Sequence, residues 1–92
     1  MTFNFIDLSY SHESLETVLN DYRDSVNNAT GGEAIQVSST QIYIDNDFKG
    51  FFDHVYTDED PVEILVSDFN SVIEPGFSED WIIRIVTTIK HE

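Results

Sequence analysis

Hydrophobic residues in this 92-residue chain recur with two different periods, and the periods predict the elements. From Thr2 to Leu8 apolar and polar residues alternate, with a slip at Ile6, which predicts a first strand. Leu15, Val18, Leu19, Tyr22 and Val26 then fall at i, i+3, i+4, i+7 and i+11, the stripe of an amphipathic helix. Ser9 or Ser11 is expected to cap that helix, with Glu13 in its first turn. Gly31 and Gly32 supply the left-handed backbone that ends it. Its outer face carries Glu13, Glu16, Asn20, Asp24 and Asn27.

Two short strands are predicted next, 34–38 and 41–45. Ile35 and Val37 share one parity and Ile42 and Ile44 the other, so the chain either turns at Ser39-Thr40 or bulges within one longer strand; the hairpin is preferred. Asn46 and Asp47 are expected to cap a short second helix bearing Phe48, Phe51, Phe52 and Val55, weakened by Gly50 by roughly 1 kcal/mol relative to alanine. After the loop Asp58-Glu59-Asp60-Pro61, residues 62–67 read as a strand and 68–73 as a turn or further short strand. Pro75-Gly76 marks a turn. The chain closes on a β-branched strand over 80–90 with Trp81, Ile82, Ile83, Ile85, Val86 and Ile89. The predicted fold is one α+β domain over residues 1–92: a two-layer sandwich, with a small, mainly antiparallel sheet and two helices on one face. The last strand is apolar on both faces, which places it at the sheet's centre or at a subunit interface and makes a homodimer the expectation.

Composition adds charge to this picture. The chain is 40% hydrophobic and 13% aromatic, too rich in core-forming residues for a disordered acidic tail. Yet 18 Asp and Glu face only four Lys and Arg, for a net charge of −14. Between Lys49 and Arg84 lie Asp53, Asp58, Glu59, Asp60, Glu63, Asp68, Glu74, Glu79 and Asp80 without one basic residue. Such a field repels nucleic acid and anionic lipid, so neither is an expected partner. Halophilic adaptation fits the lopsided placement of the acids and the aromatic content poorly. With no cysteine there is no disulfide framework, iron–sulfur cluster or thiol nucleophile. No signal peptide or membrane-length apolar run is read, and the expected location is the cytoplasm.

Motifs for chemistry are weak. Asp45, Asp47 and Gly50 match positions 1, 3 and 6 of an EF-hand loop, but Lys49 and Tyr56 stand where acidic ligands belong, so the helix-cap reading wins. His12, His54 and His91 have no metal-ligand spacing, and His54 beside Asp53 lacks a nucleophile motif. No catalysis, metal or cofactor is expected. Phe69, Phe77 and Trp81 read as core, and Arg84 as the partner of a neighbouring acid.

The acids are therefore the candidate site: Asp45, Asp47, Asp53, Asp58, Glu59, Asp60, Glu63, Asp68, Glu74, Glu79 and Asp80, with Glu13, Glu16 and Asp24 extending the face. Carboxylates two apart on a strand stand about 6.6–6.8 Å apart, and three or four apart on a helix about 5–6 Å. Those spacings are comparable to a phosphate backbone. In length, charge and β-α-β-β-α-β order the chain resembles the small acidic DNA-mimic proteins that bacteriophages use against host defences, in particular the Arn type of T-even phages. The resemblance spans the whole chain and rests on charge distribution rather than a compact motif. It implies an inhibitor of an McrBC-like restriction endonuclease, acting on that enzyme's DNA-binding surface, and commonly a dimer. A nucleoid protein is a second basic target for the same electrostatic reason. An immunity protein for a basic nuclease toxin, or an anti-CRISPR mimic, would use the same charges.

Overall fold

The computed structural model describes residues 2–31, 34–56 and 61–91. Its elements are β1 (Thr2–Ser11), α1 (Leu15–Thr30), β2 (Ile35–Ile44), β3 (Asp47–Val55), α2 (Pro61–Ile73) and β4 (Ile82–His91). The strands form one antiparallel sheet in the order β1-β4-β2-β3. Both helices pack on one face of it. The fold is α+β with β4 and β2 at the centre, so the last strand takes the first of the two placements its apolar run allows.

α1 forms where its stripe predicts, burying Val18, Tyr22, Val26 and Thr30. Its cap is Ser14 rather than Ser9 or Ser11, because β1 runs on to Ser11 and takes both into the sheet. The Ser14 hydroxyl accepts the Thr17 N–H at 3.2 Å. At the other end Gly31 adopts φ 58° and donates its N–H to the Asn27 carbonyl. Only glycine takes that left-handed conformation without strain.

Three predicted elements are corrected. No turn interrupts 39–40: β2 is continuous, and the parity switch comes from a bulge between Ile35 and Val37. The hairpin turns instead at Asp45-Asn46, where φ is 53° and 70° and Ile44 pairs with Asp47. Two successive positive φ angles are those of a type I′ turn, whose twist matches the flanking strands, and Asp and Asn tolerate them better than most residues. Consequently 48–55 is the edge strand β3, not a helix. Its Gly50 lies against α2, with a Val72 methyl 3.4 Å from where a Cβ would stand. Residues 62–67 and 68–73, read as strand and turn, form the single helix α2. Pro61 opens it, its missing N–H being one that a first helical turn leaves unbonded. Leu65, Val66, Phe69 and Ile73 point inward at helical spacing.

The core lies between the helices and the inner sheet face, around Tyr22, Phe69, Ile42, Ile85 and Ile89, all fully buried. Tyr22 stacks on Phe69 with ring centroids 4.4 Å apart. Phe69 is core as expected, and Phe77 and Trp81 pack partly buried at its edge. Inside it three hydroxyls close a triangle: Tyr22 to Thr40 at 3.2 Å, Tyr22 to Thr87 at 2.9 Å, and Thr40 to Thr87 at 2.9 Å. Burial without such partners would cost each hydroxyl on the order of 1–3 kcal/mol. Ser38 and Tyr56 make a similar buried pair at 2.7 Å.

These phenols give the fold a pH dependence. Burial pushes the Tyr56 hydroxyl up to about 12, against the opposing effect of its bond to Ser38. Burial likewise raises Tyr22, despite its bonds to Thr40 and Thr87. Burial raises Tyr10 as well, helped by its bond to Asp21. A folded phenol that keeps its proton after the unfolded chain has lost it stabilises the fold fully below pH 10.0, the ordinary value of a tyrosine hydroxyl. That stabilisation is lost as pH rises through the folded value. Unfolding temperature should therefore fall steadily above pH 10, with phenolate absorbance from these tyrosines appearing together with loss of circular dichroism. Full ionisation near pH 10 in a chain that stays folded would contradict the buried hydroxyl cluster.

Candidate functional site

Backbone bonds gather several acids at one end of the molecule. The loop from Glu74 to Trp81 leaves α2 and turns through Phe77 N–H to Glu74 carbonyl and Trp81 N–H to Ser78 carbonyl bonds. It is tied to the β2–β3 turn where Asp45 donates its N–H to the Ile82 carbonyl and its carboxylate accepts the Ile82 N–H. It is tied to the end of β1 by the His12 N–H on the Trp81 carbonyl. These links bring Glu13, Asp45, Asp47, Glu74, Glu79 and Asp80 to one end, every one of them exposed. The lysine beside them, Lys49, lies over the Trp81 ring at 6.0 Å from its centroid.

This arrangement works against the fold's own electrostatics. Glu74 follows the C-terminus of α2, where the helix dipole favours a cation. Neither helix has a basic residue in its last turn. Glu74 accepts a bond from the Asn70 side chain at 3.0 Å. Glu79 and Asp80 stand side by side, and among the described residues neither forms a salt bridge.

The remaining predicted site residues are distributed. Glu63 meets Arg23 of α1 in a two-pronged bond, at 2.9 and 3.3 Å. Asp68 pairs with His54 of β3 at 3.0 Å, which puts His54 on the sheet edge and not on a surface helix. Asp53 is on the sheet's outer face, away from both helices. Glu16 and Asp24 are exposed on α1. Asp58, Glu59 and Asp60 lie outside the described residues. The acids read as one span thus occupy an end, a helical flank and a sheet face. Asp21, an exposed acid of α1 bonded to the Tyr10 hydroxyl, was missing from the predicted set.

The outer sheet face has a different character. In register order its rows are Phe3-Lys90-Val37-Val55, Phe5-Thr88-Ser39-Asp53, Asp7-Val86-Gln41-Phe51 and Ser9-Arg84-Tyr43-Phe48. Asp7 and Arg84 are joined by two bonds, at 2.8 and 3.1 Å. The Arg84 guanidinium holds the Asp7 carboxyl below the usual range, chiefly through that hydrogen bond. Arg84 thus pairs with a neighbouring acid, as expected. Sequence periodicity does not reveal this surface, because the bulge at Lys49 gives β3 the spacing of a helical stripe.

Among the described residues no pocket is found and no group of three or more His, Asp or Glu side chains is placed to hold a metal ion. Among the same residues no helix is long and apolar enough to cross a membrane. Comparison with protein-family models, with curated proteins and with solved structures finds no match to this chain.

Proposed function

We propose that the protein is a DNA-mimicking inhibitor, a rigid polyanion that occupies the DNA-binding surface of a basic host protein. An McrBC-like restriction endonuclease is the first such target and a nucleoid protein the second. It acts in the host cytoplasm, without catalysis or cofactor, as the resemblance to Arn-type phage proteins implies. The observation that carries this reading is the acid-rich end. Six exposed carboxylates are gathered there by backbone bonds between segments, with Glu74 set against the dipole of α2 and Glu79 and Asp80 side by side. Overall density supports it. A net charge of −14 along a 38 Å axis is one charge per about 2.7 Å, against one per roughly 1.7 Å for duplex DNA. The axis itself is close to one helical turn of DNA, about 34–36 Å.

The reading predicts direct competition. Added to a basic DNA-binding enzyme with labelled duplex, the protein should displace the DNA at low salt. The effect should fade steeply once the screening length falls well below about 10 Å, which happens above ~0.1 M salt. Failure to displace duplex from any such enzyme at low ionic strength would end the proposal. Equal potency at low and high salt would mean that charge is not what the target reads.

A further inference from the structure

We infer that the outer face of the sheet is a seat for one amphipathic helix of another protein, apolar along its buried stripe and basic on its flanks. Side-chain size shapes this face into a shallow trough. The edge strands carry its large apolar residues, Phe3 and Phe5 on β1 and Phe48, Phe51 and Val55 on β3, each more than half exposed. Between them the middle rows present the short side chains of Thr88 and Val86 from β4 and Ser39 from β2. The β3 wall is braced from within, its Phe48 ring 5.8 Å from Tyr43 and 6.4 Å from Phe51. A sheet that faces water on one side normally turns polar residues outward. Exposed apolar surface of this extent marks an interface.

Dimensions and charge identify the occupant. β1 and β3 are three strand spacings apart, about 14 Å at ~4.8 Å each, and a helix with its side chains is about 10–12 Å across. From Phe3 to Ser11 the trough runs about 27 Å at ~3.3 Å per residue, the length of roughly 18 helical residues. Helix on sheet is also the layering that already covers the inner face. The described charged residues of the trough, Asp7, Asp53, Arg84 and Lys90, balance to zero. Asp7 and Arg84 neutralise each other in place. The Phe48 end of the trough borders the acid-rich end, where Asp45 and Asp47 flank the β2–β3 turn and Asp45 is bonded to Ile82. A neutral apolar seat beside carboxylates is complementary to an apolar stripe flanked by lysine or arginine. A second copy fits worse, since it brings a further charge of −14 and sets wall against wall. The inference does not rest on the decoy reading, because the seat itself carries no net charge.

Calorimetric titration with a synthetic helix of about 18 residues, leucine along one stripe and lysine elsewhere, tests it. The chain should bind this peptide at micromolar concentrations, with amide NMR shifts centred on Ser39, Val86 and Thr88. The same peptide with glutamate for lysine, or alanine for leucine, should not bind. Phe5→Thr and Phe51→Thr each lower one wall, keep a strand-forming residue and leave the net charge unchanged. Each folded variant should bind at least about tenfold more weakly. They lie on different strands, so either one suffices if the other fails to fold. No binding at hundreds of micromolar would overturn the inference. So would folded variants that both bind like the wild type, or shifts confined to the acidic end, since charge alone would then hold the peptide. A chain that sediments as a dimer and shields these amides from the peptide would put a second copy in the seat, which overturns it too. Neither variant alters a carboxylate, so failure here leaves competition with DNA standing.

Discussion

Exchanging Glu74, Glu79 and Asp80 together for lysine is expected to abolish competition with DNA while leaving the fold intact. Each exchange adds two units of charge, so the net value moves from −14 to −8. The change is concentrated at one end of the molecule. The three side chains are exposed, and among the described residues the one hydrogen bond their carboxylates accept is from Asn70 to Glu74. Removing adverse charge from the end of α2 should leave stability unchanged or slightly raised. A basic cleft that had gained attraction from three carboxylates now meets three ammonium groups. Affinity should fall at least about a hundredfold at low salt, roughly 2.7 kcal/mol. Titration of the target with the triple variant, beside circular dichroism of the variant alone, decides it. Undiminished displacement of DNA by a folded triple variant would remove the acidic end from the site.

Phe69→Ala should have the largest effect on the fold. Phe69 is fully buried on α2 and stacks on Tyr22, which itself closes the hydroxyl triangle with β2 and β4. Truncation removes a ring from the junction of both helices and the sheet, and costs about 3–5 kcal/mol. A domain of this length has only about 5–14 kcal/mol to lose. The midpoint of thermal unfolding should drop by about 15–30 °C, read by near-ultraviolet circular dichroism. A fall of only a few degrees would show that Tyr22 and Phe69 do not share a tightly packed centre.

Much of the architecture was legible in the chain and some was inverted. α1 was legible because Leu15, Val18, Leu19, Tyr22 and Val26 form a single-faced stripe and Gly31 closes it. β4 was legible from its β-branched run. The exchange of identities between 48–55 and 61–73 has a physical cause in each case. Phe48, Phe51, Phe52 and Val55 fit a helical stripe because a bulge at Lys49 puts Phe48 on the same face as Phe51 and Val55, with only Phe52 turned inward, so alternation was hidden. Val62, Ile64 and Val66 favour strands by intrinsic preference. Packing of Leu65, Phe69 and Ile73 against the sheet outweighs it. Pro61 after three acids was the available sign of a helix start.

Of the candidate site, the excess of acids was plain from composition, but their grouping was not. Asp45 and Ile82 are 37 residues apart and joined by two bonds. No local pattern announces such a meeting, and it is what brings Asp47 to the same end as Glu79 and Asp80. Glu63 and Asp68, equally acidic on paper, are each taken up by a neighbour, Arg23 and His54.

Two helices that finish without a cation have one more consequence. Dissolved electrolyte can supply the counter-charge that α1 and α2 lack, so denaturation should come later in brine than in dilute buffer. Concentrated salt would then give a hardier molecule that grips its quarry less, placing durability and potency at opposite ends of one scale.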